Sequence, residues 1–322
     1  MTILSPYTVL SLPLTSYSRL LHSRPTLTHS CPLKIASLTD CSILKKYNIP
    51  VKVSLPHVGE NLQDQTTGSA AFDANLTALD PTGSAGFVGY FSAPDIFGSN
   101  FSALSAEVKS QLAEYAATTV KATGGVISTK VTESLFELHH SLIFDSHLPI
   151  SEILISPSES SVSISYWGLL PFSRGRIHIS SSDASTHAAN IDPNYFLLPY
   201  DVEQQIGTAK MSRAAGSARG LGPYITSETQ PGLATVPAEG THAQWTDWVK
   251  SSYRSNFHYI STAAMMSKEL GGVVDTDLKV YGTANVRVVD ASVLPLQVCG
   301  HLTATLYAVA EKAADAIKAA HA

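Results

Sequence analysis

The sequence predicts an α+β fold: an antiparallel sheet with helices in the middle of the chain, joined to an α/β unit at its C-terminal end. Three observations predict it. "SVSISYW" (161–167) and "RIHIS" (176–180) alternate apolar and polar residues, as half-buried antiparallel strands do. "NVRVVD" (285–290) is a continuous β-branched run, which suits a strand covered on both faces and ended by Asp290. A proline-containing loop then leads to a helix from about His301. Leu302, Leu306, Val309, Ala313 and Ile317 share one face of it, and Glu311, Asp315 and Lys318 lie opposite. Strand, acid, loop and helix in that order is the grammar of sheets that bind ligands beyond strand C-termini and at helix N-termini.

The other elements follow along the chain. Residues 1–33 are rich in Ser, Thr, Leu and Pro without periodicity, which predicts an irregular arm. "CSILKKYNIPVKV" (41–53) predicts a short helix stopped by Pro50 and an extended segment, and "LPHVGENLQDQ" (55–65) a glycine-containing loop. "GFVGYFSA" (86–93) is a strand candidate, and Leu104, Val108, Leu112 and Tyr115 fall on one helical face. "DVEQQI" opens a helix with Asp201 as N-cap and Gln204 three residues on. "THAQWTDWV" repeats that pattern with Thr241 and Gln244, turning Trp245, Trp248 and Val249 inward. No internal repeat or low-complexity linker separates these stretches.

Composition removes several function classes. The chain has 322 residues, 44% hydrophobic and 15% charged, with a net charge of −5 and no basic stripe, which argues against nucleic acid as a partner. No apolar run approaches the ~18 residues that cross a bilayer, so no membrane span is expected. Cys31, Cys41 and Cys299 have no metal-ligand spacing; a Cys31–Cys41 disulfide is open, though an odd count disfavours a disulfide framework. Two glycosylation sequons begin at Asn75 and Asn100, but the N-terminus lacks a basic region and a clear cleavage site, so the compartment stays open. No G-x-S-x-G elbow points to a serine hydrolase. His139, His140 and His147 complete no metal site, and a helix surface or cap is their ordinary reading. Asp275-Thr276-Asp277 reads as a turn.

Two histidines stand out. His258 lies between aromatics in "NFHYISTAAMM" (256–266), and His301 follows "VVDASVLPLQVCG". A lone histidine in an apolar segment is more often structural, yet histidine is also the side chain best suited to moving protons near neutral pH. At a helix start, His301 would feel the positive dipole end, which favours the neutral ring.

Residues 256–318 resemble the C-terminal signature of the glucose–methanol–choline oxidoreductases, flavoenzymes that oxidise alcohols and sugars. The elements that carry the resemblance come in order: Asn256-Phe257-His258, the small residues to Met265, "GGVVD", "VYG", "RVVDAS", a proline, His301 and the "AEKAAD" helix. "VGENLQDQ" (58–65) and "GRIHISSSD…IDPNYF" resemble further segments of that family, and the likeness covers roughly residues 34–322. The resemblance implies FAD as cofactor. It implies that His258 takes the alcohol proton and that His301 holds substrate. Asp290 and Ala291 would approach the FAD diphosphate and ribityl chain, and His301, Leu302 and Thr303 would lie along the isoalloxazine. Paired histidines lean towards the glucose-oxidase and aryl-alcohol-oxidase side of the family.

Two departures accompany it. Ser261 stands where glycine is expected, and none of the twenty glycines forms the G-x-G-x-x-G dinucleotide fingerprint. The expected organisation is therefore an arm (1–33), a remnant of the flavin-binding portion (34–65), a substrate-binding domain (66–255) and a C-terminal flavin-domain segment (256–322). The expected function is FAD-dependent oxidation of a small-molecule alcohol, such as a biosynthetic intermediate, by a chain truncated at its N-terminus. Its rivals are a non-catalytic remnant and a partner subunit unable to hold FAD alone; a homodimer is compatible with each.

Overall fold

The computed structural model describes residues 8–10, 38–39, 41–77, 86–183 and 189–320. Its first elements are short. β1 (Thr8–Leu10) comes first, and β2 (Leu38–Thr39) and β3 (Val53–Ser54) pair in parallel around α1 (Cys41–Lys46). Lys45 and Lys46 sit in the last turn of α1, where cations suit the helix dipole. Asn48, at φ 56°, turns the chain before Pro50 is reached.

The middle of the chain holds β4 (Thr66–Ala74), β5 (Phe87–Ser92), α2 (Ala93–Phe97), α3 (Phe101–Thr123), α4 (Thr129–His140), β6 (Pro149–Pro157) and β7 (Ser161–Gly168). β8 (Arg176–Ile179), β9 (Ala189–Asp192), α5 (Pro199–Gly216), β10 (Ile225–Gln230), α6 (His242–Ser252) and β11 (Arg254–Ser255) follow. An antiparallel sheet of six strands runs β10–β4–β7–β6–β5, with β11 also on β4. Strand parity sorts its side chains onto two faces. Tyr166 and Ile153 pack with Phe72, with Val202 and Ile206 of α5 and with Trp245 and Val249 of α6. Trp167 and Ile150, of opposite parity, join Val108, Leu112 and Tyr115 of α3 and Phe136 of α4 around Phe172.

The C-terminal part adds β12 (Val286–Val288) and α7 (Thr303–Ala319). Val288 is buried with Val58, Val273, Val280 and Ala313 in a separate core. No helix among the described residues is long and apolar enough to cross a membrane.

Several expectations change. The arm is not wholly irregular, because β1 pairs in parallel with β12, Thr8 opposite Val286. The rest of residues 1–33, and with it Cys31, lies outside the described residues. β7 and β8 are antiparallel strands as expected but belong to different sheets, β8 pairing with β9. Gly175 is required just before β8, since a Cβ there would sit 2.1 Å from the Asp192 carbonyl oxygen. Asp201 is not an N-cap: α5 begins two residues earlier, at Pro199, whose fixed φ is pre-set for a first helical turn. The Asp201 carboxylate instead accepts the backbone N–H groups of Phe172 and Ser173, at 2.7 and 2.8 Å. The Thr241–Gln244 capping box forms as expected. His139 and His140 lie in the core rather than on a helix surface; burial holds His139 down at about 3, and its ring packs edge-on against Phe172. The terminal helix starts at Thr303, not His301. Only Leu302 and Ala313 of its expected apolar face are fully buried, the others being half-buried.

Candidate active site

The site is organised by a segment that carries no regular structure, Leu62–Gln65. Gln63 bridges to Ile260, and the Gln65 carbonyl accepts the Asn256 N–H at 2.9 Å, so this thread lies against the His258 loop. Its three polar side chains are buried and aimed at neighbouring main chain. Asp64 Oδ1 accepts the His258 N–H at 2.9 Å, while Oδ2 accepts the Tyr195 hydroxyl at 2.5 Å and the Ser255 hydroxyl at 2.6 Å. Burial raises the Asp64 carboxyl to about 6 in spite of these donors. Ser255 Oγ also accepts the N–H of Phe257, whose φ of 60° is costly for a side chain of that size. The loop bearing His258 is thus pinned in a conformation it would not choose by itself.

His258 is fixed at three points. Beyond the N–H bond to Asp64, its carbonyl accepts from Gln297 Nε2 at 2.6 Å and its ring Nδ1 lies 2.7 Å from Gln65 Oε1. Burial first, and then the neighbouring His301, lower its pKa to about 4. The ring is therefore neutral at physiological pH and able to accept a proton.

His301 stands edge-to-face against His258, ring centroids 5.2 Å apart at 82°. Its Nε2 is 3.0 Å from Glu152 Oε1, and Trp167 Nε1 donates to Glu152 Oε2 at 3.1 Å. The Tyr90 hydroxyl bonds to the same carboxylate. Glu152 is wholly buried, which raises its pKa against the opposing pull of His301 and these donors. The His301 side chain keeps 52% of its surface exposed.

Around the pair, Ser261 has φ 75°, the left-handed conformation that explains why glycine is expected there. Its hydroxyl donates to the Leu294 carbonyl at 2.6 Å and accepts from Gln63 Nε2 at 2.8 Å, partners glycine lacks. Leu302 turns its side chain into a small core with Ile260 and Leu294. Thr303 is exposed and begins α7, whose N-cap makes no side-chain hydrogen bond. Asp290 lies two residues beyond the end of β12 and caps the turn Ala291–Val293, its Oδ1 accepting the Ser292 N–H at 2.8 Å.

The structure therefore brings His258 and His301 together beside the N-terminus of α7, and places Asp290 and Ala291 at the carboxyl end of β12. Sequence reading missed the residues that hold them. Asp64 and Gln65 lay in view within "NLQDQ" without any periodic pattern to give them a role. Glu152 had a readable signal, a single acid inside the apolar strand "PISEILISP". Trp167 had none, since alternation marks only which face of a strand it occupies.

Residues 171–310 match the family model described as GMC oxidoreductase. A glucose oxidase-like protein from Humicola fuscoatra, fsoC, is 42% identical over 273 residues, 84% of this chain and 45% of that protein. Glucose oxidase from Penicillium chrysogenum is 33% identical over 276 residues, 86% of this chain and 44% of that protein. Among solved structures, a fungal aryl-alcohol oxidase superposes with a TM-score of 0.72 at 26% identity, covering 87% of this chain and 51% of that one. An FAD-dependent oxidoreductase from Chaetomium thermophilum shares the fold, with a TM-score of 0.74 at 24% identity over 90% of this chain and 53% of that one. The fold and its antiparallel sheet are those of a flavoenzyme substrate-binding domain. The chain is similar to the C-terminal portion of the GMC oxidoreductases, and it spans about half the length of the relatives it matches.

Proposed function

We propose that the chain serves the FAD-dependent oxidation of a small-molecule alcohol, with His258 as the base and His301 as its partner at the substrate hydroxyl. The observation that carries this reading is the histidine pair itself: two rings in edge-to-face contact, one held neutral by burial. A base for this chemistry must be unprotonated at working pH and must reach the hydroxyl that its neighbour also touches.

The residues present fit a flavin. The first N–H groups of α7 have no intrahelical partners and no side-chain cap, a donor set suited to the oxygen-rich edge of an isoalloxazine ring. The backbone of His301 to Thr303 would hold that edge, and Asp290 and Ala291 would approach the diphosphate and ribityl chain. When bound, FAD supplies the acceptor for the hydride that leaves the carbinol carbon. His258 takes the hydroxyl proton, so the alcohol loses one proton and one hydride and becomes a carbonyl compound. His301, oriented through Nε2 by the buried Glu152, faces the same hydroxyl and keeps it directed at His258. The primary or secondary alcohol lies over the exposed His301 edge.

Titrating FAD into the purified chain, and then adding an alcohol, tests the reading. The expected result is alcohol-dependent bleaching of the flavin that falls by about 10²–10⁴ in rate in His258→Ala. Bleaching at an unchanged rate in that variant would overturn it. The second reading, a chain that needs another polypeptide to hold FAD, is favoured by the missing fingerprint among its twenty glycines. It predicts flavin binding only when a G-x-G-x-x-G-bearing half is added back.

A further inference from the structure

A neutral imidazole carries one N–H, and the nitrogen that lacks it is the base. For His258 this choice is settled by a ladder of glutamines whose ends are fixed by main-chain carbonyls, which can only accept. Gln297 Nε2 lies 2.6 Å from the His258 carbonyl oxygen, so its amide nitrogen must point there and its Oε1 must face Gln65. Gln65 Nε2 lies 3.4 Å from the Val298 carbonyl oxygen and 3.5 Å from Gln297 Oε1, two acceptors that fix its nitrogen end in turn. Gln63 locks the adjoining rung, donating to the Pro295 carbonyl at 3.0 Å and accepting the Gln297 N–H at 3.3 Å. Flipping any one amide would set oxygen against oxygen at these contacts.

With its nitrogen committed, Gln65 presents only Oε1 to His258 Nδ1, at 2.7 Å. We propose that Gln65 is a positioning residue that holds His258 as the Nδ1–H tautomer and so leaves Nε2 as the proton-accepting atom. Asn256 Nδ2 lies 3.3 Å from the same oxygen and 3.0 Å from Nδ1, which defines the rival arrangement. In the rival, Asn256 donates to a bare Nδ1, and the Gln65 oxygen then faces a lone pair at 2.7 Å, a repulsive contact in a buried setting. Among the described residues no hydrogen bond is made by His258 Nε2, which leaves that atom free for substrate. The use of a glutamine also has a consequence. A carboxylate at this position would stabilise the imidazolium, whereas a neutral amide orders the ring without adding charge that would protonate it. The proposal rests on the reading of His258 as the base, but its test needs neither flavin nor turnover.

The test is long-range ¹H–¹⁵N correlation spectroscopy of the ¹⁵N-histidine-labelled chain at neutral pH, with the His258 signals assigned by their loss in His258→Gln. The Nδ1–H form is expected to exceed the Nε2–H form by about tenfold, the ratio that one neutral hydrogen bond supports. Gln65→Leu should abolish that bias, and Asn256→Ala should retain it. Gln65→Glu should retain the tautomer while moving the His258 titration midpoint upward. A wild-type His258 found mainly as Nε2–H, or a Gln65→Leu variant with an unchanged tautomer ratio, would overturn the proposal. Loss of alcohol oxidation with the tautomer as expected would count against the proposed function alone.

Discussion

The two histidines of the pair are held in opposite ways. His258 is anchored through its own main chain and its ring together, to Asp64, Gln297 and Gln65 at 2.9, 2.6 and 2.7 Å. His301 is exposed over half its side chain, and one carboxylate at 3.0 Å orients its ring. A residue fixed by its backbone cannot be displaced without remodelling the loop, whereas a residue fixed by one side chain can be released by one substitution. The difference teaches that this site has a rigid member and an adjustable one, which suits the proposed roles of base and substrate-holding group.

The sharpest way to break that contrast is to remove the anchor of the rigid member. Asp64→Ala leaves the His258 N–H and the Tyr195 and Ser255 hydroxyls without their acceptor, at about 1–3 kcal/mol for each group that stays buried. A total loss of about 3–5 kcal/mol is expected in urea unfolding; a loss below about 1 kcal/mol would show that the loop holds itself.

Asp64 also gives the rigid side a pH signature. Its carboxyl titrates at about 6 in the fold against an ordinary 3.8, so between those values the folded chain binds the extra proton. Stability from this group is therefore greatest below about pH 4 and declines as pH rises to about 6, by about 3 kcal/mol over that window. Asp64→Asn should flatten this slope. His258 acts in the other sense: with its pKa lowered to about 4 from 6.5, its contribution is lost as pH falls through that range. Unfolding measured from pH 4 to 7 in Asp64→Asn and in His258→Ala separates the two, and parallel curves for wild type and Asp64→Asn would refute the assignment.

Glu152→Gln probes the adjustable member. It replaces charge-assisted bonds with neutral ones, for a stability change of about 1 kcal/mol. The His301 ring should lose its fixed orientation, seen as averaged ring signals in NMR, while the His258 signals stay in place. Movement of both sets would mean that the pair is held as one unit.

Ser261→Gly should have the smallest effect. Relief of about 1 kcal/mol of left-handed strain opposes the loss of the hydroxyl bonds to Leu294 and Gln63, at about 1 kcal/mol each. A net loss of no more than about 1 kcal/mol in thermal unfolding is expected. A gain would show that the strain outweighs the bonds.

Periodicity made most of the architecture legible. Alternation located β7 and β8, helical spacing placed Val108, Leu112 and Tyr115 on the buried face of α3, and Thr241 with Gln244 announced the start of α6. The Asp201 capping reading failed because the same residue type serves two purposes. A short acid near a helix start can cap that helix or bind the backbone of another segment, and only packing brought Phe172 and Ser173 within its reach. His139 and His140 were misplaced for a related reason: two adjacent polar residues suggest a surface, but the aromatic cluster around Phe172 and Phe144 buries them.

The sequence by itself determined the fold class, the strand–acid–loop–helix order at the C-terminal end and the identity of the two histidines as candidates. Each of these depends on residues close together in the chain or on a motif with fixed spacing. Only the tertiary structure decided that His258 and His301 meet, that Glu152 lies under His301, that Asp64 anchors the His258 main chain, and that Gln63, Gln65 and Gln297 form one polar ladder. Such contacts join residues about two hundred positions apart, Asp64 to His258 by 194 and Gln65 to Gln297 by 232. At that separation no local preference couples the partners. The pairing is set by where the sheet and the C-terminal core place their backbones, and the requirement that every buried amide find a partner then leaves one arrangement.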